Sequence, residues 1–166
     1  MDQHSKLGYR EGLVSVILNL LLFVLKYYAG IASASLALIA DAWHTLSDSL
    51  TSLMVIVGIR LSTRKPDKEH PFGHGRWEQI SAIIIAILLA VVGFEFIRDS
   101  INKLSVHESA NFGVWAYVAT ITSIVLKEGL AQYAFRIARI TNNSSVKADG
   151  WHHRSDALSS VLVLIG

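Results

Sequence analysis

The chain has 166 residues, of which 52% are hydrophobic, and its mean hydropathy is positive at +0.43. Such a composition, with only two prolines, is typical of a membrane protein and argues against a soluble globular domain. The chain contains no cysteine, which excludes disulfides and thiolate metal ligands. Any transition-metal site must therefore use His, Asp or Glu.

Five apolar runs are each long enough to cross a hydrocarbon core of about 30 Å, which requires about 20 helical residues. They predict an all-α, polytopic membrane helix bundle. In chain order the runs cover Leu13–Ala32, Leu36–Ile59, Gln79–Ile97, Phe112–Phe135 and Val146–Gly166. The first run is longer than the apolar part of a usual signal peptide and contains Asn19 and Lys26, so we expect it to be retained as a helix.

The positions of Lys and Arg predict the orientation of this bundle. A pI near 9.0 is compatible with nucleic-acid binding, but in a membrane chain the distribution of basic residues is more informative than their total. They concentrate in the N-terminal segment and in the second and fourth connections, whereas the first and third contain Arg98 and Lys103. The positive-inside rule therefore places the N-terminus in the cytoplasm, and we expect no nucleic-acid partner.

A pattern of the form Asp-small-Trp-His-x-x-Ser-Asp occurs twice inside the apolar runs, at residues 41–48 and 149–156. In each copy the His and the second Asp are four residues apart, so they lie on one helix face. The predicted topology makes the second and fifth helices antiparallel and brings both faces to the middle of the membrane. Two imidazoles and two carboxylates suit a tetrahedral divalent metal site. The residues concerned are His44, Asp48, His152 and Asp156.

A purely structural role for these polar residues is the alternative. Ionisable side chains in a membrane cost roughly 2.5–3.5 kcal/mol each, whereas helix association requires only Ser, Thr or Gly. Two matched pairs therefore favour a metal site. Asp41 and Asp149, three residues before each histidine, either accept the second imidazole proton or cap a cavity. His153 and Arg154 turn away from the motif face and are not expected to be ligands.

The chain resembles the transmembrane domain of a cation diffusion facilitator, a proton-coupled, zinc-type metal exporter. The resemblance extends over almost the whole chain and rests on the two His-x-x-x-Asp pairs and on the loop His70-Pro71-Phe72-Gly73-His74-Gly75. It implies export of Zn2+, or of Cd2+, Fe2+, Co2+ or Mn2+, by alternating access in exchange for protons. Metal binding needs neutral imidazoles and ionised carboxylates, so protons compete for the same groups. The implied transport site is His44, Asp48, His152 and Asp156.

The predicted cytoplasmic loop between the second and third helices contains a further group of ligands. Taken alone, residues 64–76 are typical of a basic membrane-flanking loop. Asp67, His70 and His74 nevertheless provide three ligands within a short segment, and the glycines permit tight turns around them. The resemblance implies that these three residues form a second metal site.

The resemblance also sets expectations for the whole protein. Relative to the family, residues 1–166 form one transmembrane domain that is expected to lack a sixth helix and the cytoplasmic C-terminal domain. The full-length protein is expected to be a homodimer, integral to the membrane and multi-pass, with the bacterial inner membrane favoured. Within the fourth helix, we interpret Lys127 as a side chain that snorkels to the interface and Glu128 as facing a cavity.

Three other functions fit parts of the pattern. A membrane metalloenzyme would need an open coordination position, which four protein ligands do not leave, so the chain is not predicted to be an enzyme. A haem-binding electron carrier could use His44 and His152 as axial ligands, but the neighbouring carboxylates would remain unpaired. A cation channel would need a site that releases its ion faster than four ligands allow.

Overall fold

The computed structural model describes residues 3–33, 36–106 and 114–165. Within these ranges the chain forms five α-helices and no strand, which confirms the predicted all-α bundle. The shortest helix has 22 residues and the longest have 30, or about 33–45 Å at about 1.5 Å per residue. Each is long enough to cross a membrane. The helices are α1 (Gln3–Ala32), α2 (Leu36–Ser62), α3 (Trp77–Val106), α4 (Val114–Thr141) and α5 (Ser144–Ile165).

Several helices extend beyond the predicted apolar runs. The first begins at Gln3 instead of Leu13, and the third continues to Val106 instead of ending at Ile97. The reason is that hydropathy marks only the membrane-embedded part of a helix, whereas charged residues such as Lys and Glu also propagate helix well. Residues 112–113 of the predicted fourth run, and Gly166 of the fifth, lie outside the described residues.

The helices pack around a core formed mainly by α2, α3, α4 and α5. Val55 and Ile59 of α2 meet Ile85 of α3, Ala134 of α4 and Val146 of α5. Glycines permit the closest approaches between helices, as is common for membrane bundles. A Cβ on Gly58 of α2 would overlap the side chain of Ser81 of α3, and a Cβ on Gly12 of α1 would press against α2.

The outer faces of the bundle are apolar, and its interior contains buried polar residues beside the apolar core. Large hydrophobic side chains remain exposed on its outer faces, where lipid would cover them; they include Leu21, Ile31, Leu50, Ile83, Ile87, Phe94, Ile97, Val125 and Leu158. Among the described residues, α1 alone meets a combined length and hydropathy criterion for a membrane span, with a mean hydropathy of 1.9. Ionisable residues of α2, α4 and α5, among them Asp48, Lys127 and Asp149, are directed into the interior.

The connection between α4 and α5 determines where α5 begins. Asn142 adopts a left-handed conformation with φ 51°, which asparagine tolerates better than most residues. Asn143 then caps α5, because its side-chain oxygen accepts a hydrogen bond from the backbone N–H of Val146 at 3.0 Å. The backbone N–H of Ser144 donates to Glu78 Oε1 of α3 at 2.8 Å. These contacts hold the start of α5 against α3 and so position the polar residues that follow.

Candidate metal centre

The four motif residues lie together between α2 and α5, and we call them the motif cluster: His44, Asp48, His152 and Asp156. Ligand atoms of three of them, His44, Asp48 and Asp156, lie within 4.8 Å of one another. His152 Nε2 lies 3.6 Å from Asp48 Oδ1 and 3.5 Å from Asp156 Oδ2. His44 Nε2 lies 3.7 Å from Asp48 Oδ1. Asp48 is thus the residue that links the two helices.

The motif cluster is mostly buried, and His44 is its exposed member. The side chains of Asp48 and His152 are 4% and 2% exposed, whereas that of His44 is 46% exposed. Neither ring nitrogen of His152 has a hydrogen-bond partner among the described residues. A buried imidazole without a partner is unusual and leaves its lone pair available to a cation.

Lys127 of α4 occupies the centre of this cluster. Its Nζ donates to Asp48 Oδ2 and to Asp156 Oδ2, at 2.7 Å in each case, and its side chain is 2% exposed. The interpretation of Lys127 as a snorkelling residue is therefore wrong. Two carboxylates inside a low-dielectric bundle attract the ammonium more strongly than the distant interface does, because charge pairing offsets the desolvation of all three groups.

Asp41 does not accept a proton from His44 in the structure. Its carboxylate pairs with Lys26 Nζ of α1 at 2.9 Å, and the same ammonium donates to Thr45 Oγ1 at 2.9 Å. Lys26 is buried, with 3% exposure. The Asp41 carboxylate therefore compensates a buried charge and ties α1 to α2.

Asp149 likewise contacts other groups than His152. Its carboxylate accepts hydrogen bonds from Ser52 Oγ at 3.1 and 3.2 Å and lies 3.3 Å from His153 Nε2. Arg154 pairs with Glu128 Oε1 at 2.6 Å, so Glu128 forms an ion pair at the partly exposed edge of α4. His153 and Arg154 both point away from the motif cluster, in agreement with the spacing argument.

The loop residues Asp67, His70 and His74 form a second group, which we call the loop cluster. Asp67 lies 3.4 Å from His70 Nδ1 and 3.5 Å from His74 Nε2, and the two rings are 4.4 Å apart. The turn at Gly73, with φ 81°, permits this geometry. Donation by the backbone N–H of His70 to the carboxylate lowers the pKa of Asp67, which favours its metal-binding, ionised form.

Two buried ionisable residues were not identified by the motif analysis, namely Lys127 and Glu11. Glu11 lies on α1 and is fully buried beside Asp149 and His153. The sequence does indicate that Glu11 faces the interior. Glu11, Ser15 and Asn19 are spaced four residues apart and form a polar stripe on an apolar helix. Lys127 gives a weaker signal, since a single lysine in an apolar run is also compatible with snorkelling.

Comparison with known proteins identifies the family of the chain. Residues 12–166 match the family model described as the cation efflux transmembrane domain. The chain is 34% identical over 154 residues to an uncharacterized transporter of Methanocaldococcus jannaschii, covering 93% of this chain and 54% of the relative. It is 30% identical over 166 residues to the manganese efflux system protein MneP of Bacillus subtilis, covering 99% and 55%.

A plant relative is similar as well. Metal tolerance protein C1 of Arabidopsis thaliana is 35% identical over 160 residues, covering 87% of this chain and 34% of the relative. The chain thus spans about half the length, or less, of these relatives. The family match covers most of the chain, and the resemblance seen in the sequence is confirmed: the chain belongs to the cation diffusion facilitator family of integral membrane proteins.

Proposed function

We propose that this chain is the transmembrane part of a secondary transporter that exports divalent transition-metal cations from the cytoplasm in exchange for protons. The observation that carries this proposal is the convergence of two carboxylates and two imidazoles from α2 and α5 at one point inside the bundle. The substrate is bound by His44, Asp48, His152 and Asp156, with access alternating between the two membrane faces.

The donor set favours Zn2+ among the candidate substrates. Two imidazole nitrogens and two carboxylate oxygens match the tetrahedral preference of Zn2+, and imidazole also suits Fe2+ and Co2+. Carboxylates extend the range toward Mn2+, the metal for which the Bacillus subtilis relative is named. We therefore place Zn2+ first and Mn2+, Fe2+, Co2+ and Cd2+ after it.

In this mechanism Lys127 is the resident counter-cation of the motif cluster. Its ammonium lies 2.7 Å from one oxygen of each carboxylate, which is where a divalent cation bridging them would bind. Metal entry therefore requires the lysine side chain to withdraw, and metal release allows it to return. With Lys127 in place, one positive charge is shared by the two carboxylates of the metal-free cluster, which lowers the cost of holding them inside the membrane.

Proton coupling follows from the ligand chemistry. Zn2+ binds neutral imidazole and ionised carboxylate, so each bound metal displaces protons from the groups it occupies. Histidine titrates near neutral pH, and modest acidification therefore favours release of the metal. Net exchange results when metal-loaded and protonated forms change access more readily than other forms.

The loop cluster is proposed to bind a second ion of the same class. Asp67, His70 and His74 already lie within ligand distance of one another, on the predicted cytoplasmic side. An exposed site at that surface would raise the local concentration of the substrate near the entrance. The full-length protein is proposed to form a homodimer, with the bacterial inner membrane as the favoured location.

The other functions considered from the sequence gain no support. Family membership argues for a transporter and against an enzyme. A haem between His44 and His152 would collide with the Asp48 carboxylate, one oxygen of which lies within 3.7 Å of both imidazoles. A channel remains disfavoured because four converging donors bind an ion tightly.

The test is calorimetric titration of Zn2+ and Mn2+ into the purified chain in lipid nanodiscs at neutral and mildly acidic pH. We expect Asp48→Asn and Asp156→Asn each to remove one binding event that weakens at acidic pH. Glu128→Gln is the matched control, because Glu128 is an acidic residue of the bundle that pairs with Arg154 and lies outside the cluster. Unchanged binding in both aspartate variants would disprove the proposed site.

A further inference from the structure

A second group of potential ligands lies inside the bundle, and we call it the buried triad: Glu11 of α1 with Asp149 and His153 of α5. All three residues are 0% exposed. Their ligand atoms lie within 4.8 Å of one another, and His153 Nε2 is 3.3 Å from Asp149 Oδ2. None of the three belongs to the motif cluster or to the loop cluster.

The hydrogen bonds of the triad leave part of its binding capacity unused. Ser15 Oγ donates to Glu11 Oε1 at 3.2 Å, and Ser52 Oγ donates to Asp149. Glu11 Oε2 and both ring nitrogens of His153 have no hydrogen-bond partner within the described part of the chain. Fully buried polar atoms are nearly always partnered, so Glu11 Oε2 and one ring nitrogen of His153 indicate a missing partner.

The charge of the triad indicates what that partner is. Four other carboxylates of the bundle have a basic partner: Lys26 for Asp41, Lys127 for Asp48 and Asp156, and Arg154 for Glu128. Among the described residues, neither Glu11 nor Asp149 forms an ion pair with Lys or Arg, and the basic side chain in contact with Asp149 is that of His153. Two buried carboxylates without a counter-charge are costly in a low-dielectric interior, and a cation removes that cost.

We infer that Glu11, Asp149 and His153 bind a divalent metal cation. Two carboxylates and one imidazole favour Mn2+, Fe2+ or Zn2+ over the softer ions, and the Ser52 hydroxyl adjoins the same carboxylate. The site is separate from the motif cluster and lies about one helical turn from it, since Asp149 precedes His152 on α5 and Ser52 follows Asp48 on α2. Its existence does not depend on the transport mechanism proposed above.

The triad lies toward one of the two membrane faces. Asp149 precedes both motif residues of α5, and Glu11 lies in the first third of α1, so the two carboxylates lie toward the predicted cytoplasmic ends of their helices. A cation in the triad would therefore be bound on the cytoplasmic side of the motif cluster. It would also join α1 to α5, two helices that otherwise have few contacts with each other.

The experiment counts bound metal in the full chain in nanodiscs, with Mn2+ followed by electron paramagnetic resonance and Zn2+ by equilibrium dialysis. We expect Glu11→Gln to lose about one bound ion per chain, and Asp48→Asn to lose a different one, so that the double variant loses about two. Glu11 is the residue of choice because it lies on a helix that contributes no other proposed ligand. Ser15→Ala is the matched control, since it removes a neighbour of Glu11 without removing a ligand.

Thermal unfolding distinguishes metal binding from a purely structural role. If the triad binds metal, Glu11→Gln without metal unfolds at or above the unfolding temperature of the parent. Added Mn2+ then raises the unfolding temperature of the variant less than it raises that of the parent. Should Glu11 and Asp149 merely share a proton, Glu11→Gln keeps the parent metal stoichiometry, and the inference is overturned. Glu11→Asp provides a second readout if the glutamine variant does not fold: we expect retained stoichiometry with affinity about tenfold weaker, and unchanged affinity would contradict the site.

Discussion

Lys127 Nζ lies 2.7 Å from Asp48 Oδ2, although the two residues are 79 positions apart in the chain. The same ammonium lies 2.7 Å from Asp156. One lysine of α4 thus joins the two helices that carry the paired His/Asp motifs. This relationship makes the cluster an internal ion pair, and in the proposed mechanism the metal exchanges with the ammonium of Lys127.

Replacement of Lys127 tests this exchange directly. We expect Lys127→Met to raise Zn2+ affinity by about tenfold, or about 1.4 kcal/mol, because the metal no longer displaces an ammonium. The metal-free protein should lose about 3–5 kcal/mol of stability, since two buried carboxylates remain without their partner. Calorimetry and chemical unfolding in nanodiscs measure the two effects.

The control for this variant is Lys147→Met, which removes an exposed lysine of α5. This variant should change neither the Zn2+ affinity nor the stability of the metal-free protein appreciably. A fall in Zn2+ affinity in Lys127→Met would contradict the counter-cation role, because it would mean that the lysine helps to bind or position the metal.

Asp41 is expected to be dispensable for metal binding even though it precedes His44 in the repeated motif. In Asp41→Asn the Zn2+ affinity should stay within about threefold of the parent value, because the carboxylate pairs with Lys26 and not with the imidazole. The thermal stability should fall, since Lys26 is buried and loses its counter-charge. A loss of affinity as large as that of Asp48→Asn, measured by the same calorimetry, would refute this assignment.

The turn that contains Asp67 should be acid-sensitive in a defined direction. Hydrogen bonding to the backbone N–H of His70 lowers the pKa of Asp67 from its usual value of 3.8. The ionised carboxylate of Asp67 therefore stabilises the turn fully above pH 3.8. This stabilisation is lost only as the pH falls through the lowered pKa. The amide resonance of His70, followed by NMR during acidification, should shift below pH 3.8.

The control is Asp67→Asn, in which this acid transition should disappear while the rest of the spectrum stays unchanged. If the acid transition of the parent protein has its midpoint above the usual pKa of aspartate, the pKa of Asp67 is raised. The hydrogen bond from His70 to Asp67 would then be contradicted.

The contact between α2 and α3 should depend on the absence of a side chain at residue 58. We expect Gly58→Ala to destabilise the bundle by about 1–3 kcal/mol, because the added methyl group would overlap Ser81. Gly129→Ala in α4 is the matched control, since no atom lies within 4 Å of a Cβ built there. It should be neutral or stabilising by up to about 1 kcal/mol. Equal effects of the two substitutions on thermal unfolding would argue against the close helix contact.

Local patterns predicted the helices and much of the motif cluster. Long apolar runs require helices in a membrane because each backbone polar group must be satisfied within the segment. The four-residue spacing of His44 and Asp48, repeated at His152 and Asp156, places both members of each pair on one face. The existence of five helices and the ligand composition could therefore be predicted without coordinates, whereas the helix ends could not, since polar residues continue a helix beyond the membrane.

The partners of the charged residues depended on how the helices pack. Periodicity indicates which face a residue occupies on its own helix, but it does not tell which neighbour that face meets. For this reason Asp41 paired with Lys26 instead of His44, and Lys127 entered the cluster instead of reaching the interface. Glu11 acquired a potential role only through its contact with α5. Helical spacing thus predicted the candidate ligands, and the long-range electrostatics of a low-dielectric interior, which act between helices, determined which charges compensate them.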